Sequence, residues 1–499
     1  MELFVALDAG TGSAKCCVFD ANGRLVARAS EPWSYDIRDD PELPNVKPFS
    51  FDPQAFWLAL ARCVHRSLQL AGAAPGRVAG VAATSQREAC VFLDASAREV
   101  YAGPNLDARG FREGLEVLNE LGAEQLYRIT GHSAPFIFPL ARYLWFRKQH
   151  GSTVAHLLMM NDWITWRLSG TMVAEPSNAT ESMLFDFRAR QWSPVILERF
   201  AIPASILPPV VPPGARVGAV SAEAAQVTGL LPGTPVYAGG ADTQCSLLGA
   251  GVVEPGEVGI TLGTTTPVQL VTGEPLLDPQ GTLWAGCHVV SNRWVLESNA
   301  GDTGDAHRWV LALLTGGGAD EATCQQLERA AWECGKSDVL HYIGPAIFDL
   351  HRIALQRPGG ILFPFPTLHV RPTAAEMLRG FYESLGFALR ANLEQLQTVW
   401  RKAPARWVLS GGMTHNAVLV RIVTNVLATP THVAREREST ALGCALLMMA
   451  EGNEERLRTL ARSVPAHEGF TPDPQTADRY AERFAIWRRL YEQMFDMVI

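Results

Sequence analysis

One pattern occurs twice in this chain and limits what the chain can fold into. Near the start, the apolar run Leu3 to Leu7 leads into Asp8-Ala9-Gly10-Thr11-Gly12-Ser13 and then into Cys16 to Phe19. Near the middle, Gly259-Ile260-Thr261-Leu262 leads into Gly263-Thr264-Thr265-Thr266 and then into Pro267 to Val271. Each reads as a strand, a glycine- and threonine-rich turn, and a second strand. Two copies this far apart predict duplicated α/β domains facing each other across a cleft, with a junction between Gly239 and Gly256.

Length and composition fit that picture. The chain has 499 residues, a prior for two to four domains, with 47% hydrophobic and 19% charged residues, which is the balance of a folded chain rather than a disordered one. A net charge of −8 leaves no cationic surplus for a phosphate backbone, so nucleic acid is not an expected partner. The nine cysteines include no C-x-x-C pair and no histidine at zinc-ligand spacing, and read as reduced thiols of a cytoplasmic protein. The first residues carry neither a basic segment nor a long apolar one, so no signal peptide is expected. No apolar run approaches the roughly 20 residues that span a bilayer, and no membrane association is expected. Ala441 to Ala450, the most apolar late stretch, follows Ser439-Thr440 and reads as a capped, buried helix.

Smaller elements follow from local chemistry. Asp20-Ala21-Asn22-Gly23 carries a hairpin signal, with Leu25 to Ala27 as the third strand of an opening meander. Ile206 to Gly240 is crowded with Gly and Pro and reads as loops and short strands. Thr373-Ala374-Ala375-Glu376 is a capping-box signature ahead of an amphipathic helix. Trp407 to Leu409 reads as a buried strand, Ser410-Gly411-Gly412 as a turn, and Ala417 to Leu427 as a helix. A strand, a glycine turn and a helix N-terminus in that order make a ready nucleotide site.

Three clusters could carry chemistry. The Gly10 to Ser13 turn offers backbone N–H groups and the Thr11 and Ser13 hydroxyls to phosphate oxygens, with Lys15 as a positive end; equally, it reads as a hairpin that satisfies itself. It has neither Walker A nor dinucleotide-fingerprint spacing. Asp242, after Gly239-Gly240-Ala241, is a catalytic base at the cleft floor or simply a helix N-cap. Arg87 and Glu88, after Val81-Ala82-Ala83, form either a solvated loop pair or a donor and acceptor set for polyol hydroxyls. Asn105-Leu106-Asp107-Ala108-Arg109 has the same two readings.

The order of these motifs resembles the FGGY carbohydrate kinases over nearly the whole chain. Asp8 to Lys15 resembles that family's first phosphate motif, Leu262 to Thr266 its second, Gly239 to Asp242 the segment of its catalytic aspartate, and Ser410 to Asn416 its adenosine motif. Pro139 to Trp145 is also similar, with Arg142 where lysine is usual, as are Pro176 to Asp186 and the nucleotide-lining segment Gly304 to Trp309. The resemblance implies two ribonuclease-H-like, actin-like ATPase domains, placed at 1–246 and 247–499, and an ATP- and magnesium-dependent sugar kinase that admits a homodimer.

Carried over residue by residue, the resemblance makes Asp242 the general base and places Mg²⁺ at Asp8 and Asp242. ATP would meet Gly10, Thr11, Gly12, Ser13, Lys15, Gly263, Thr264, Thr265, Gly304, Gly411, Gly412 and Asn416. The substrate would meet Arg87, Glu88, Asp107 and Asp242. Gln86-Arg87-Glu88 is similar to glycerol kinases, where xylulose kinases usually carry Met-His at the positions of Arg87 and Glu88. The glycerol kinases' substrate tyrosine nevertheless falls near Ile137, and their glutamine after the aspartate is Thr243 here. The set of Arg87-Glu88, Asn105 to Arg109 and Asp242-Thr243-Gln244 looks most like autoinducer-2 kinases, on a background close to pentulose kinases. The expected substrate is a pentulose such as xylulose or a related open-chain molecule such as the autoinducer-2 precursor. The alternatives are a glycerol- or erythritol-type polyol, or a non-catalytic actin-like nucleotide-binding protein.

Overall fold

In the computed structural model, residues 2–37, 47–318, 320–352, 358–363, 371–464 and 468–495 are described. Two mixed sheets organise them. The first runs in the order Arg216–Ala219, Pro235–Ala241, Val78–Ser85, Leu3–Ala9, Ser13–Asp20, Leu25–Pro32. Leu3–Ala9 pairs antiparallel with Ser13–Asp20, which pairs antiparallel with Leu25–Pro32. On its other side Leu3–Ala9 lies parallel to Val78–Ser85, which lies parallel to Pro235–Ala241.

The second sheet repeats this plan with one strand added. Glu257–Thr261, Pro267–Thr272 and Trp294–Asn299 form the antiparallel meander, and Glu257–Thr261 continues through parallel Arg406–Ser410 and Thr431–Val433. Each sheet closes its parallel side with one antiparallel strand, Arg216–Ala219 in the first and Glu468–Phe470 in the second. Trp284–Cys287 is the extra edge strand, next to Trp294–Asn299. The recurring motif is therefore the opening hairpin of one repeated sheet topology.

The last parallel strand of each sheet leads to a helix, Asp242–Gly249 in the first half and Ser439–Ala450 in the second, and these two helices pack on each other. Their approach is closer than any side chain allows. A Cβ on Gly249 would lie 1.9 Å from the Ser439 carbonyl oxygen, and one on Gly443 would lie 1.9 Å from the Cys245 carbonyl oxygen. The Ser246 and Ser439 hydroxyls meet at 3.1 Å across the same contact. The division after residue 246 falls inside the first of these helices, so the halves meet here through packed helices rather than a linker.

Local expectations were met with particular exceptions. The Thr373/Glu376 capping box is formed and starts a helix over Ala374–Trp400. Ala417–Leu427 is helical. The stretch before Gly240 contains a helix, Ala222–Thr228, because Ser221 caps it and Gly229 ends it in the left-handed conformation. Ser439 and Thr440 do not cap the buried helix; its first residue is Ser439 and its cap position is Glu438, whose side chain makes no capping bond. Among the described residues no helix is long and apolar enough to cross a membrane.

Candidate active site

Asp8 lies in the buried strand Leu3–Ala9, opposite Lys15 in the neighbouring strand. Lys15 Nζ sits 3.2 Å from Asp8 Oδ2 and 3.8 Å from Glu438 Oε2, and the Asp8 charge pushes its pKa up. Lys15 is thus neutralised within the protein. The turn between the strands is held from outside: Trp33 Nε1 donates to the Gly10 carbonyl at 3.0 Å, and Asn105 Nδ2 to Thr11 Oγ1 at 3.2 Å. Tyr35 donates to the Thr11 carbonyl. A Cβ on Gly12 would meet nothing within 4 Å, so that side of the turn is open.

The second turn is clamped by two backbone approaches. A Cβ on Gly304 would come 2.2 Å from the Gly263 carbonyl oxygen, and one on Gly411, at φ +91°, would come 2.6 Å from that of Leu262. The Gly304 N–H donates to the Thr264 carbonyl at 3.0 Å. These glycines act by letting three chain segments converge, while the Thr264 and Thr265 side chains stay exposed.

Beside this convergence lies a cavity of about 720 Å³ lined by Gly263, Thr264, Gly304, Gly412 and Asn416 from the sequence-based set. Gly10, Thr11, Gly12, Ser13, Lys15, Thr265 and Gly411 are not among its lining residues. His307, within the segment Gly304 to Trp309 expected to line the nucleotide, also borders it, whereas Gln325 and Glu328 do so and were missed. Gln325 and Glu328 belong to the helix Glu321–Glu333, which Asp320 caps and along which Cys324, Leu327 and Ala331 recur at helical spacing. Asn416 caps Ala417–Leu427 through Oδ1 and donates through Nδ2 to the Tyr382 hydroxyl at 2.7 Å, where His307 Nε2 also lies at 3.0 Å.

Asp242 is the first residue of Asp242–Gly249, so it is not the N-cap; Ala241 holds that position. Its Oδ1 accepts from the Thr243 N–H at 2.7 Å, leaving Oδ2 as the oxygen able to take a proton. Half-buried as a residue, its carboxyl is nevertheless pushed up to about 7, first by desolvation and then by the Asp8 and Glu88 charges, against the opposing pull of Arg87. Two carboxylates that sense each other, Asp8 and Asp242, suit Mg²⁺, which takes one or two protein carboxylates together with phosphate oxygens and water. Among the described residues no cluster of three metal-ligating side chains exists, and Mg²⁺ held with a nucleotide does not need one.

Arg87 and Glu88 are not a solvated pair. Arg87 makes a two-point ion pair with Glu297, both contacts 2.8 Å, and Glu297 comes from the second sheet. Glu88 is buried at φ +58°, with Arg142 donating to its carbonyl oxygen. Arg142 also donates to the Pro104 carbonyl at 2.7 Å, so this fully buried guanidinium ties two loops that carry candidate substrate residues. Asp107 is fully buried as well, its carboxylate accepting from the Phe49 N–H at 3.1 Å, from Arg109 Nε at 2.9 Å and from Tyr101. A substrate hydroxyl could reach it only by displacing one of these donors.

Comparison with known proteins gives the family and the fold. The chain is 28% identical over 517 residues to an autoinducer-2 kinase of Escherichia coli strain K12, covering 99% of this chain and 95% of the relative. It is 29% identical over 527 residues to an autoinducer-2 kinase of Yersinia pseudotuberculosis, covering 100% and 95%. Its structure superposes on a xylulose kinase from Rhodospirillum rubrum with a TM-score of 0.85 at 25% identity, covering 99% of this chain and 100% of the other. Plasmodium falciparum glycerol kinase shares the fold with a TM-score of 0.83 at 18% identity, covering 99% and 98%. Residues 3–249 match the N-terminal domain of the FGGY family of carbohydrate kinases and residues 258–451 match its C-terminal domain, so this chain belongs to that family of ATP-dependent sugar phosphotransferases.

Proposed function

We propose that this chain transfers the γ-phosphoryl group of ATP to a terminal hydroxyl of a small open-chain sugar, a pentulose or the autoinducer-2 precursor, with Asp242 as general base. The observation that carries the reading is the Asp242 carboxyl, placed between the two Gly-Thr turns in chain order and raised to about 7. A base whose pKa lies near the operating pH is ionised often enough to act and basic enough to take a proton. Oδ2 accepts the hydroxyl proton as the oxygen–phosphorus bond forms and the bond to ADP breaks. That timing suits a loose phosphoryl-transfer transition state, in which positioning and charge stabilisation do most of the work. Mg²⁺, when bound near Asp8 and Asp242, supplies charge neutralisation at the phosphates.

The remaining assignments divide by position. The open Gly10 to Ser13 turn and the exposed Thr264 and Thr265 take phosphate oxygens, and the cavity bordered by Gly304, Gly412 and Asn416 takes the nucleoside. Arg87 and Glu88 orient the sugar. Both curated relatives are named autoinducer-2 kinases, which supports that substrate, and the Rhodospirillum rubrum neighbour supports a pentulose. All nine cysteines are free, which suits a reducing, cytoplasmic compartment.

The test is ADP release with Mg·ATP against xylulose, ribulose, glycerol, erythritol and the autoinducer-2 precursor, with Asp242→Asn as control. One acceptor should raise turnover far above the rest, and the variant should abolish the rise. Highest turnover with glycerol or erythritol would move the substrate to the polyols; a flat panel with intact ATP binding would favour a non-catalytic nucleotide-binding protein.

A further inference from the structure

Arg87 leaves the first half of the molecule and ends on a platform built by the second. Trp284, Glu297 and Gln269 are direct partners across three adjacent antiparallel strands, Trp284 opposite Glu297 and Glu297 opposite Gln269, so their side chains stand in one row on one face. Gln269 Nε2 donates to Glu297 Oε2 at 2.8 Å, which fixes the rotation of that carboxylate. Glu297 then holds both terminal nitrogens of Arg87 at 2.8 Å, and the guanidinium lies 5.2 Å from the centre of the Trp284 ring. Side-chain exposure is 10% for Arg87 and 3% for Glu297, so solvent does little to weaken the pair.

Glu181 and His132 complete the surroundings of the guanidinium. Glu181 Oε1 lies 3.6 Å from Arg87, and Glu181 Oε2 lies 3.5 Å from His132 Nε2. Burial and neighbouring carboxylates push the Glu181 carboxyl up from the ordinary range, against the pull of Arg87, while burial pushes His132 down to about 3. Glu297, with two contacts at 2.8 Å against the single 3.6 Å approach of Glu181, is the carboxylate that fixes the orientation of Arg87. A guanidinium has five N–H donors in a rigid plane, and a two-point pair with Glu297 leaves the others at directions set by the carboxylate. Gln269 Oε1 and Trp284 Nε1 are buried beside it without a protein hydrogen-bond partner, which leaves polar capacity for a hydroxylated guest or water.

We infer that Glu297, supported by Gln269 and Trp284, is the positioning residue for Arg87, so that the half carrying the nucleotide cavity sets the aim of the arginine that grips the sugar. The inference rests on the sugar-binding reading of Arg87. It deepens that reading by making the sugar site a product of both halves: the sugar subsite is complete only while the two halves are together.

A double-mutant cycle tests it, with the sugar KM read for D-xylulose and for the autoinducer-2 precursor and ADP affinity measured separately without sugar. Glu297→Gln, of nearly the same shape, should raise the sugar KM about ten- to a hundredfold, the usual range for a charge-assisted bond, with ADP affinity unchanged. Gln269→Leu keeps the ion pair but frees the carboxylate to rotate, and should raise KM in the same direction by less. Arg87→Ala/Glu297→Gln should be no worse than Arg87→Ala alone. A merely structural contact would lower the melting temperature and weaken ADP and sugar alike, which overturns the inference, as does an unchanged sugar KM in Glu297→Gln or effects that multiply in the double variant. If Arg87→Ala itself leaves the sugar KM unchanged, the sugar-binding reading of Arg87 is the part that fails.

Discussion

At the scale of single residues, Asp242 joins two opposed demands, because desolvation makes its carboxyl a better base and also makes its ionised form costly. Asp242→Asn should keep ADP binding and lose about 10²- to 10⁴-fold in kcat, the range for removing a general base, as read by single-turnover transfer. In the wild type, kcat/KM should rise with pH through about 7, since the ionised carboxylate is the active form. The same shift sets the sign for stability. Folding raises this pKa from 3.8 to about 7, so the stabilising contribution is complete below pH 4 and is lost as pH rises through 7. Asp242→Asn should therefore melt higher than the wild type at pH 8 and about level with it at pH 4. Sequence alone put Asp242, Arg87 and Glu88 in one list, because each stands at the end of an apolar strand. Glu181, Glu297 and His132 were invisible there, since nothing in their local sequence says that three distant segments meet around one guanidinium.

Among the elements, the contact between helices Asp242–Gly249 and Ser439–Ala450 decides how the two sheets are joined. Gly443→Ala places a methyl group 1.9 Å from a carbonyl oxygen of the partner helix, which cannot yield without moving the backbone. Thermal unfolding should show a loss of about 1–3 kcal/mol, the usual cost of overpacking, and kcat should fall because Asp242 begins the displaced helix. Gly452→Ala serves as the contrast: at φ +76° it is strained by its backbone rather than by a neighbour, so it should destabilise without loss of kcat. Helices with a local signature were legible, such as Ala374–Trp400 with its capping box and long apolar stripe. The start of Ser439–Ala450 was misread, because Ser439 serves the interhelical contact with Ser246 instead of a cap.

For the whole molecule, the two Gly-Thr turns proposed to take phosphate belong to different sheets, and Arg87, the proposed sugar ligand, is held by the sheet opposite its own, so binding should be cooperative between the halves. ADP at about a hundred times its Kd stabilises a site by about 2.7 kcal/mol. Melting curves with ADP, with sugar and with both should show a joint shift larger than the sum of the two, and additive shifts would mean that the halves bind independently. The repeated strand, Gly-Thr turn and strand, readable near the start and near the middle of the chain, determined that two related sheets would form and which glycines would stand at their turns, because turn chemistry and strand periodicity are local properties. Only the tertiary structure decided that Gly304 and Gly411 close on the Gly263 turn, that Lys15 is spent on Asp8 and Glu438, and that Arg87 ends on Glu297. Those contacts join residues tens to hundreds of positions apart. Their energies depend on distance and desolvation, and neither quantity exists until the chain has folded.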